Sequence, residues 1–302
     1  MRFIPDRHKK TFVLTLMLLP GAIWFLVLRY VPMAGIVIAF KNYRPYPRNP
    51  TLINNIIHSD WVGLKNFEFI FHSSDAWRMI RNTLAYNLVF IILGLIISVA
   101  FAVLLSELTK RFMAKLYQTV MFFPFFVSWV VVSYFVFAFL GPTFGLLSDI
   151  ANWYMEPKWW PVILTSANLW KSIGYSTILY LAAITGIDPG QYEAAAIDGA
   201  SKWQQVWHIT LPNIKPMIII LLILNLGRIF SADFGLFYNV PMDSGPLYPV
   251  TDVIDTYIYR ALQKLTLGMT TAAGLLQNVV GFVLIMATNM IVRKLDRGNA
   301  LF

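Results

Sequence analysis

The stretch TLAYNLVFIILGLIISVAFAVLLS, Thr83 to Ser106, runs for 24 residues without a charged side chain. As an α-helix it is about 36 Å long, enough to cross the roughly 30 Å of hydrocarbon in a bilayer. Inside that layer every backbone N–H and C=O needs an internal partner, so such a run reads as a membrane-spanning helix. Five more runs of similar character follow the same logic: Thr11 to Val31, Leu116 to Leu140, Val162 to Ile187, Pro216 to Asn239 and Met269 to Val292. The sequence therefore predicts an all-α integral membrane protein with six transmembrane helices.

Composition agrees with this class. Apolar residues make up 58% of the 302 positions, aromatics 16% and charged residues only 13%, and mean hydropathy is +0.62. A soluble domain carries about twice that share of charge. Met1 to Lys10 resembles a basic leader, but the run that follows is too long and too rich in Pro and Trp for a cleaved signal, so it is read as a retained span.

Orientation follows from the basic residues close to the span ends. With the amino terminus inside, short cytoplasmic segments hold Arg2, Arg7, Lys9 and Lys10, then Lys110, Arg111 and Lys115, then Lys202 and Lys215, then Arg293, Lys294 and Arg297. The external loops are longer and mix their Lys and Arg with Asp and Glu. Both termini are predicted to be cytoplasmic. The net charge of +9 is assigned to topology and to contact with anionic lipid headgroups rather than to a nucleic acid.

Several chemistries are excluded. Cysteine is absent, so no disulfide, thiolate metal site or cysteine nucleophile exists. His8, His58, His72 and His208 lie far apart, without a spacing that brings two onto one helical face, and no metal site is expected. Neither a GxxxxGK[ST] loop nor a GxSxG elbow occurs. No catalytic residue and no bound cofactor is predicted.

Between the fourth and fifth spans lies EAAAIDGASKWQQVWHITLP, Glu193 to Pro212, which is unlike the apolar runs around it. Asp188 before Pro189 has the chemistry of a helix cap, with Gln191 at a capping-box position. Alanines continue the helix to Asp198, Gly199 allows a bend, and Ser201 with Gln204 forms a second capping box. Two short helices are predicted. Trp203, Val206 and Trp207 cluster on a face of the second, and Pro212 is read as its end. On the residues alone, this element is either a docking surface for a cytoplasmic partner or an interfacial helix lying on lipid headgroups.

At these residues the chain resembles the permease subunits of bacterial binding-protein-dependent type I ABC importers, whose cytoplasmic signature has the form EAAxxxG, nine residues, IxLP. Glu193, Ala194, Ala195, Gly199, Ile209, Leu211 and Pro212 match it at every position. GLKNFEFIF from Gly63, NTLAYN from Asn82, TDVIDTYIYR from Thr251 and the terminal NALF are similar to the carbohydrate branch, with the third closest to oligo- and polysaccharide permeases. The resemblance implies a type I importer permease fold working by alternating access, with a second permease subunit, two ATPase subunits that carry ATP and Mg, and an external solute-binding protein. It also implies that Glu193, Ala194, Ala195, Asp198, Gly199, Ala200, Trp203, Trp207, Ile209, Leu211 and Pro212 couple this chain to the ATPase, in the plasma membrane of a bacterium. The resulting division is a basic cytoplasmic segment 1–10, a first span with external loop 11–82, a permease core 83–292 that includes the coupling loop 188–215, and a cytoplasmic tail 293–302.

A solute path needs polar groups at membrane depth, where charges are costly. Arg29 is placed near the interface, whereas Lys171, Arg228 and Asp233 fall within spans. Rise per residue puts Lys171 and Asp233 at similar heights, so an ion pair between them is geometrically allowed. Asn225 and Arg228, three apart, are read as one polar helix face. Trp129, Tyr134, Trp170 and Tyr175 are the aromatic candidates for a sugar path, or else helix-packing and interfacial residues. Pro124 is read as a kink. The rival functions are an ion-gradient-coupled carrier and an ABC importer for a non-sugar solute.

Overall fold

The computed structural model describes residues 6–47, 51–108, 110–263 and 267–295. Arg2, Arg48, Lys264, Arg297 and the NALF segment lie outside them. The chain is mostly helical, and its only strands among the described residues are two-residue segments. Four helices are long and apolar enough to cross a membrane, and a bent pair brings the number to five.

Contacts divide the chain into two units. The first comprises Met1–Phe71 with Ala261–Leu275. Its opening helix, α1 (Asp6–Phe25), continues through a π-turn and further turns, giving an apolar run of 31 residues from Lys10 to Phe40. None of that run's most apolar window is buried, and Phe12, Met17 and Trp24 are each about two-thirds exposed, as suits a lipid-facing helix. Strand β1 (Lys41–Asn42) then pairs antiparallel with β2 (Asp60–Trp61). Buried Lys41 donates from Nζ to the Ile56 carbonyl at 2.6 Å, and Asn66 Nδ2 donates to the carbonyls of Ala39 and Lys41, each at 2.9 Å. Asn66 belongs to GLKNFEFIF, so that motif here organises a loop.

The second unit is His72–Arg260 with Leu276–Phe302. Helix α2 (Ser74–Ser106) begins nine residues before the predicted span and packs along α5 (Trp160–Thr185). The predicted third span is not one kinked helix. It is α3 (Arg111–Phe126) and α4 (Trp129–Leu140), bent by 96°. Pro124 sits in the last turn of α3 rather than at the bend, which falls at Val127–Ser128, where the Ser128 hydroxyl caps α4 by accepting from Val131 N. Helix α6 (Pro189–Ile197) follows α5.

The prediction of a short second loop helix and a separate fifth span is also corrected. One helix, α7 (Lys202–Leu226), runs from the loop into the membrane. A π-turn over Val206–Thr210 stands directly before Pro212, so the widened turn accommodates the ring and its missing N–H without ending the helix. The helix stops at Leu226, and helical backbone resumes only at Gly235–Asn239. Helices α8 (Ile254–Gln263) and α9 (Leu267–Leu295) complete the fold.

Tight packing of α3 on α5 requires Gly174, because a Cβ there would overlap the Met121 carbonyl, a backbone group that cannot turn aside. Gly174→Ala is therefore expected to destabilise the fold by about 1–3 kcal/mol through overpacking. Thermal unfolding of the detergent-purified protein reads this as a lowered midpoint, and an unchanged midpoint would contradict so close an approach.

Candidate functional site

Two features are built into the second unit: a folded loop element and a polar cavity beside a broken helix. In the loop, Asp188 Oδ1 accepts from Gly190 N at 3.0 Å, and the Ser201–Gln204 capping box forms in both directions. Gln191 does not close the first box. Its Oε1 accepts from Asn213 Nδ2 at 3.0 Å, and the hydroxyls of Tyr192 and Thr210 lie 3.0 Å apart, so α6 is tied to α7 as two arms of an elbow. Gly199 sits at the bend with φ +79°, a conformation strained for any residue with a Cβ. Trp203 and Trp207 meet edge to face at 5.8 Å, yet stay 68% and 54% exposed, and Ile197 is 87% exposed. Glu193, Ala194, Asp198 and Pro212 are exposed, and Ala195, Ala200, Ile209 and Leu211 half-buried.

The cavity, about 500 Å³, lies among α2, α5, the end of α7 and the break that follows. Tyr175, Asn225, Arg228 and Asp233 of the predicted path line it, joined by Asn87, Ser172 and Ser176. Asn225 and Arg228 reach it through a turn, with Arg228 N donating to Asn225 O at 3.0 Å, rather than along a continuing helix face. Trp129, Tyr134, Trp170 and Lys171 do not line it.

Backbone freed from a helix at membrane depth must find other partners. At the break these are side chains from three distant elements. Asn87 Nδ2 donates to the carbonyls of Ile229 and Ser231 at 2.8 and 3.1 Å, and Gln277 Nε2 donates to Phe230 O at 2.8 Å. Ala232 N donates to Asp255 Oδ2 at 2.7 Å, and Gln277 also reaches that oxygen at 3.2 Å. Burial pushes the Asp255 carboxyl above the ordinary carboxylate range, against the lowering effect of those donors.

The ion pair that spacing allows between Lys171 and Asp233 does not form, because both groups serve backbone. Lys171 Nζ donates to the carbonyls of Phe125 and Val127 at 2.8 and 2.5 Å, and more weakly to Pro124, closing the end of α3 at the 96° bend. Asp233 Oδ1 accepts from Gly235 N at 2.9 Å and Leu236 N at 3.3 Å, starting the helical turn beyond the break. Trp129 stands between them. Its Nε1 donates to Asp233 Oδ2 at 2.7 Å, while the Lys171 ammonium lies 5.5 Å from its ring centre.

Sequence reading missed the role of NTLAYN. Asn82 Nδ2 donates to the carbonyls of Pro249 and Asp252, Tyr86 OH donates to Val250 O at 2.9 Å, and Ile254 N donates to Thr83 Oγ1 at 3.2 Å. The motif thus holds the TDVIDTYIYR segment to α2. Arg260 fastens the same segment, pairing with Asp252 and with Asp243 at 2.8 Å over the ring of Tyr248.

Residues 91–297 match the family described as binding-protein-dependent transport system inner membrane component. The chain belongs to that family. This inner membrane component is 36% identical over 290 residues to the polygalacturonan/rhamnogalacturonan transport system permease protein YteP of Bacillus subtilis, covering 93% of this chain and 88% of the relative. Protein LplB of the same organism is 35% identical over 293 residues, covering 94% and 89%. Among solved structures, a bacterial ABC transporter involved in import of the acidic polysaccharide alginate holds a chain that superposes with a TM-score of 0.84 at 35% identity, covering 96% of this chain and 98% of that one. A complex of the alginate transporter with alginate pentasaccharide-bound periplasmic protein matches with a TM-score of 0.83 at 34% identity, covering 97% and 98%. The fold of this inner membrane component is that of a type I ABC permease.

Asn87→Leu keeps the bulk of the side chain but removes both donors at the break. Two carbonyls then lose a partner, each costing about 1–3 kcal/mol. Amide hydrogen exchange of the protein in nanodiscs is expected to quicken across residues 227–233 and not in α5, and equal protection in both proteins would contradict the role given to Asn87.

Proposed function

We propose that this chain is the transmembrane subunit of an ATP-driven importer of oligosaccharides, forming half of a solute path that alternates between inward-open and outward-open states. It spans the membrane six times with both termini cytoplasmic, counting the bent α3–α4 pair as one span and adding α5, whose polar residues lower its hydropathy. Its partners are a second, non-identical permease subunit, two ATPase subunits that hold ATP and Mg, and an extracytoplasmic solute-binding protein. The chain itself is non-catalytic. Saccharides are favoured as cargo by the transport named for YteP and by the alginate importer, and a binding-protein partner by the alginate complex.

The observation that carries this reading is the continuity of α7. The element that exposes Trp203 and Trp207 belongs to the same helix that ends at Leu226, beside the cavity. Its 25 residues make a lever about 37 Å long. A pull on the elbow at Glu193–Trp207 by a closing ATPase pair reaches the break at 227–233 without crossing a hinge in between, and the tie of α6 to α7 makes both arms move together. Gly199 keeps the elbow's shape.

Proteoliposomes containing the assembled complex are expected to take up oligosaccharide with internal or external ATP supplied on the ATPase side and no ion gradient; uptake driven by a gradient alone would refute the proposal. Gly199→Val forces a β-branched residue into positive φ. Inserted complexes bearing it should hydrolyse ATP while importing at least about tenfold less, since the strain of 1–3 kcal/mol distorts the joint, and wild-type uptake would count against that joint.

A further inference from the structure

In the first unit, the loop that follows the long apolar run has its polarity inverted for a segment standing in water. The helix Leu52–His58 and its cap bury Asn55 and Ser59, while Ile53 and Ile57, four apart on one face, are 68% and 64% exposed. The inward polar groups satisfy one another. Asn55 Oδ1 accepts from Tyr46 N at 2.7 Å, its Nδ2 donates to Tyr43 OH at 2.9 Å, and Ser59 Oγ donates to Asn55 O at 2.6 Å. Buried Lys41 closes the carbonyl end of the helix through Ile56 O, where a cation suits the dipole. The loop is also tied to the end of the apolar run. Val62 N donates to Phe40 O at 2.9 Å, and the strand register sets Trp61 opposite Lys41, the first residue past that run. The Trp61 ring, 68% exposed, lies 5.1 Å from the Lys41 ammonium, which also reaches Ile57 O at 3.5 Å, so the ring stands beside the helix end.

We propose that Ile53, Ile57 and Trp61 form an interfacial anchor, resting in the lipid boundary at the point where the first apolar run leaves the membrane. Water favours the reverse arrangement, because removing apolar area from it is what drives folding. Placement points to lipid as the cover. The run that leads into the loop is bare along its most apolar window, and no polar spacer separates Phe40 from the strand that pairs with Trp61. Tryptophan is the residue favoured at that level, and a short helix with its apolar face in the headgroup region is a recurrent membrane-surface element. Arg44, Asp60 and Lys65 of the same loop are exposed and available to headgroup charges. The anchor also has work to do. At 31 residues the run exceeds the roughly 20 that a span needs, so hydrophobic length leaves its exit point undefined and flanking anchors decide it.

The test uses the full chain in its assembled complex, with partner cysteines removed, in nanodiscs of phosphatidylethanolamine and phosphatidylglycerol. This chain has no cysteine of its own, so Ile57→Cys and, separately, Ile53→Cys each carry one bimane fluorophore at an exposed position. Two quenchers are compared: a phosphatidylcholine bearing a doxyl group near its headgroup, and aqueous iodide. Both positions are expected to lose more emission to the doxyl lipid than to iodide, with and without a solute-binding protein present. Quenching by iodide and not by the doxyl lipid would place the face in water. Protection from both quenchers would place it against a partner subunit, or against the binding protein if protection appears only on its addition. Any of these three results overturns the anchor.

Discussion

Hydrocarbon tolerates an interrupted helix only if each exposed backbone group finds a partner, and the second unit of this protein is organised around that requirement. The interruption after Leu226 is supported from α2 by Asn87, from α9 by Gln277 and from α8 by Asp255, while Lys171 of α5 supports the bend between α3 and α4. These side chains come from positions up to 144 residues away in sequence. They make the irregular segments defined elements of structure, and irregular backbone at such a depth is found where it lines a cavity. Trp129 links the two interruptions by donating to Asp233 beneath the Lys171 ammonium.

From that constraint a mechanical arrangement follows. In the proposed importer, a helix ending in a fixed turn would move as a rod and deliver displacement at its loop end to its cavity end. The π-turn before Pro212 is what allows the rod to remain whole through a residue that ordinarily terminates helices. On the other side of the cavity, the Asn82, Thr83 and Tyr86 contacts hold the 249–254 segment to α2, and Arg260 closes the adjoining turn with Asp252 and Asp243. The cavity thus lies between the fastened 249–254 segment and a continuous helix reaching the loop.

Local chemistry was legible in the sequence. The apolar runs marked four helices long enough to span, or five with the bent pair, Asp188 and the Ser201–Gln204 pair marked caps that form, and Gly199 marked a bend that has positive φ. Long-range chemistry was not. Counting rise per residue assumed an unbroken helix from Pro216 to Asn239, which put Arg228 and Asp233 on one regular spiral and Lys171 beside Asp233. The signal against that assumption was present in GRIFSADFG from Gly227, where Gly, Ser and Asp, residues that favour turns and caps, interrupt an apolar run. What no local pattern could provide was the identity of the donors, since Asn87 and Gln277 lie on other helices. Tyr134 and Trp170 illustrate the converse: suitable residue types that are exposed but do not line the cavity.

Because the chain has no cysteine, one introduced thiol reports solvent access without background. The most direct measurement is reaction of the Ser231→Cys variant with a membrane-impermeant thiol reagent in the assembled complex, in nucleotide-free and ATP-bound states, with and without oligosaccharide. Labelling that depends on the nucleotide state and is slowed by the saccharide is expected if solute passes the break after Leu226. A thiol that remains inert in every state, or labels at the same rate in all of them, would contradict a path through this segment.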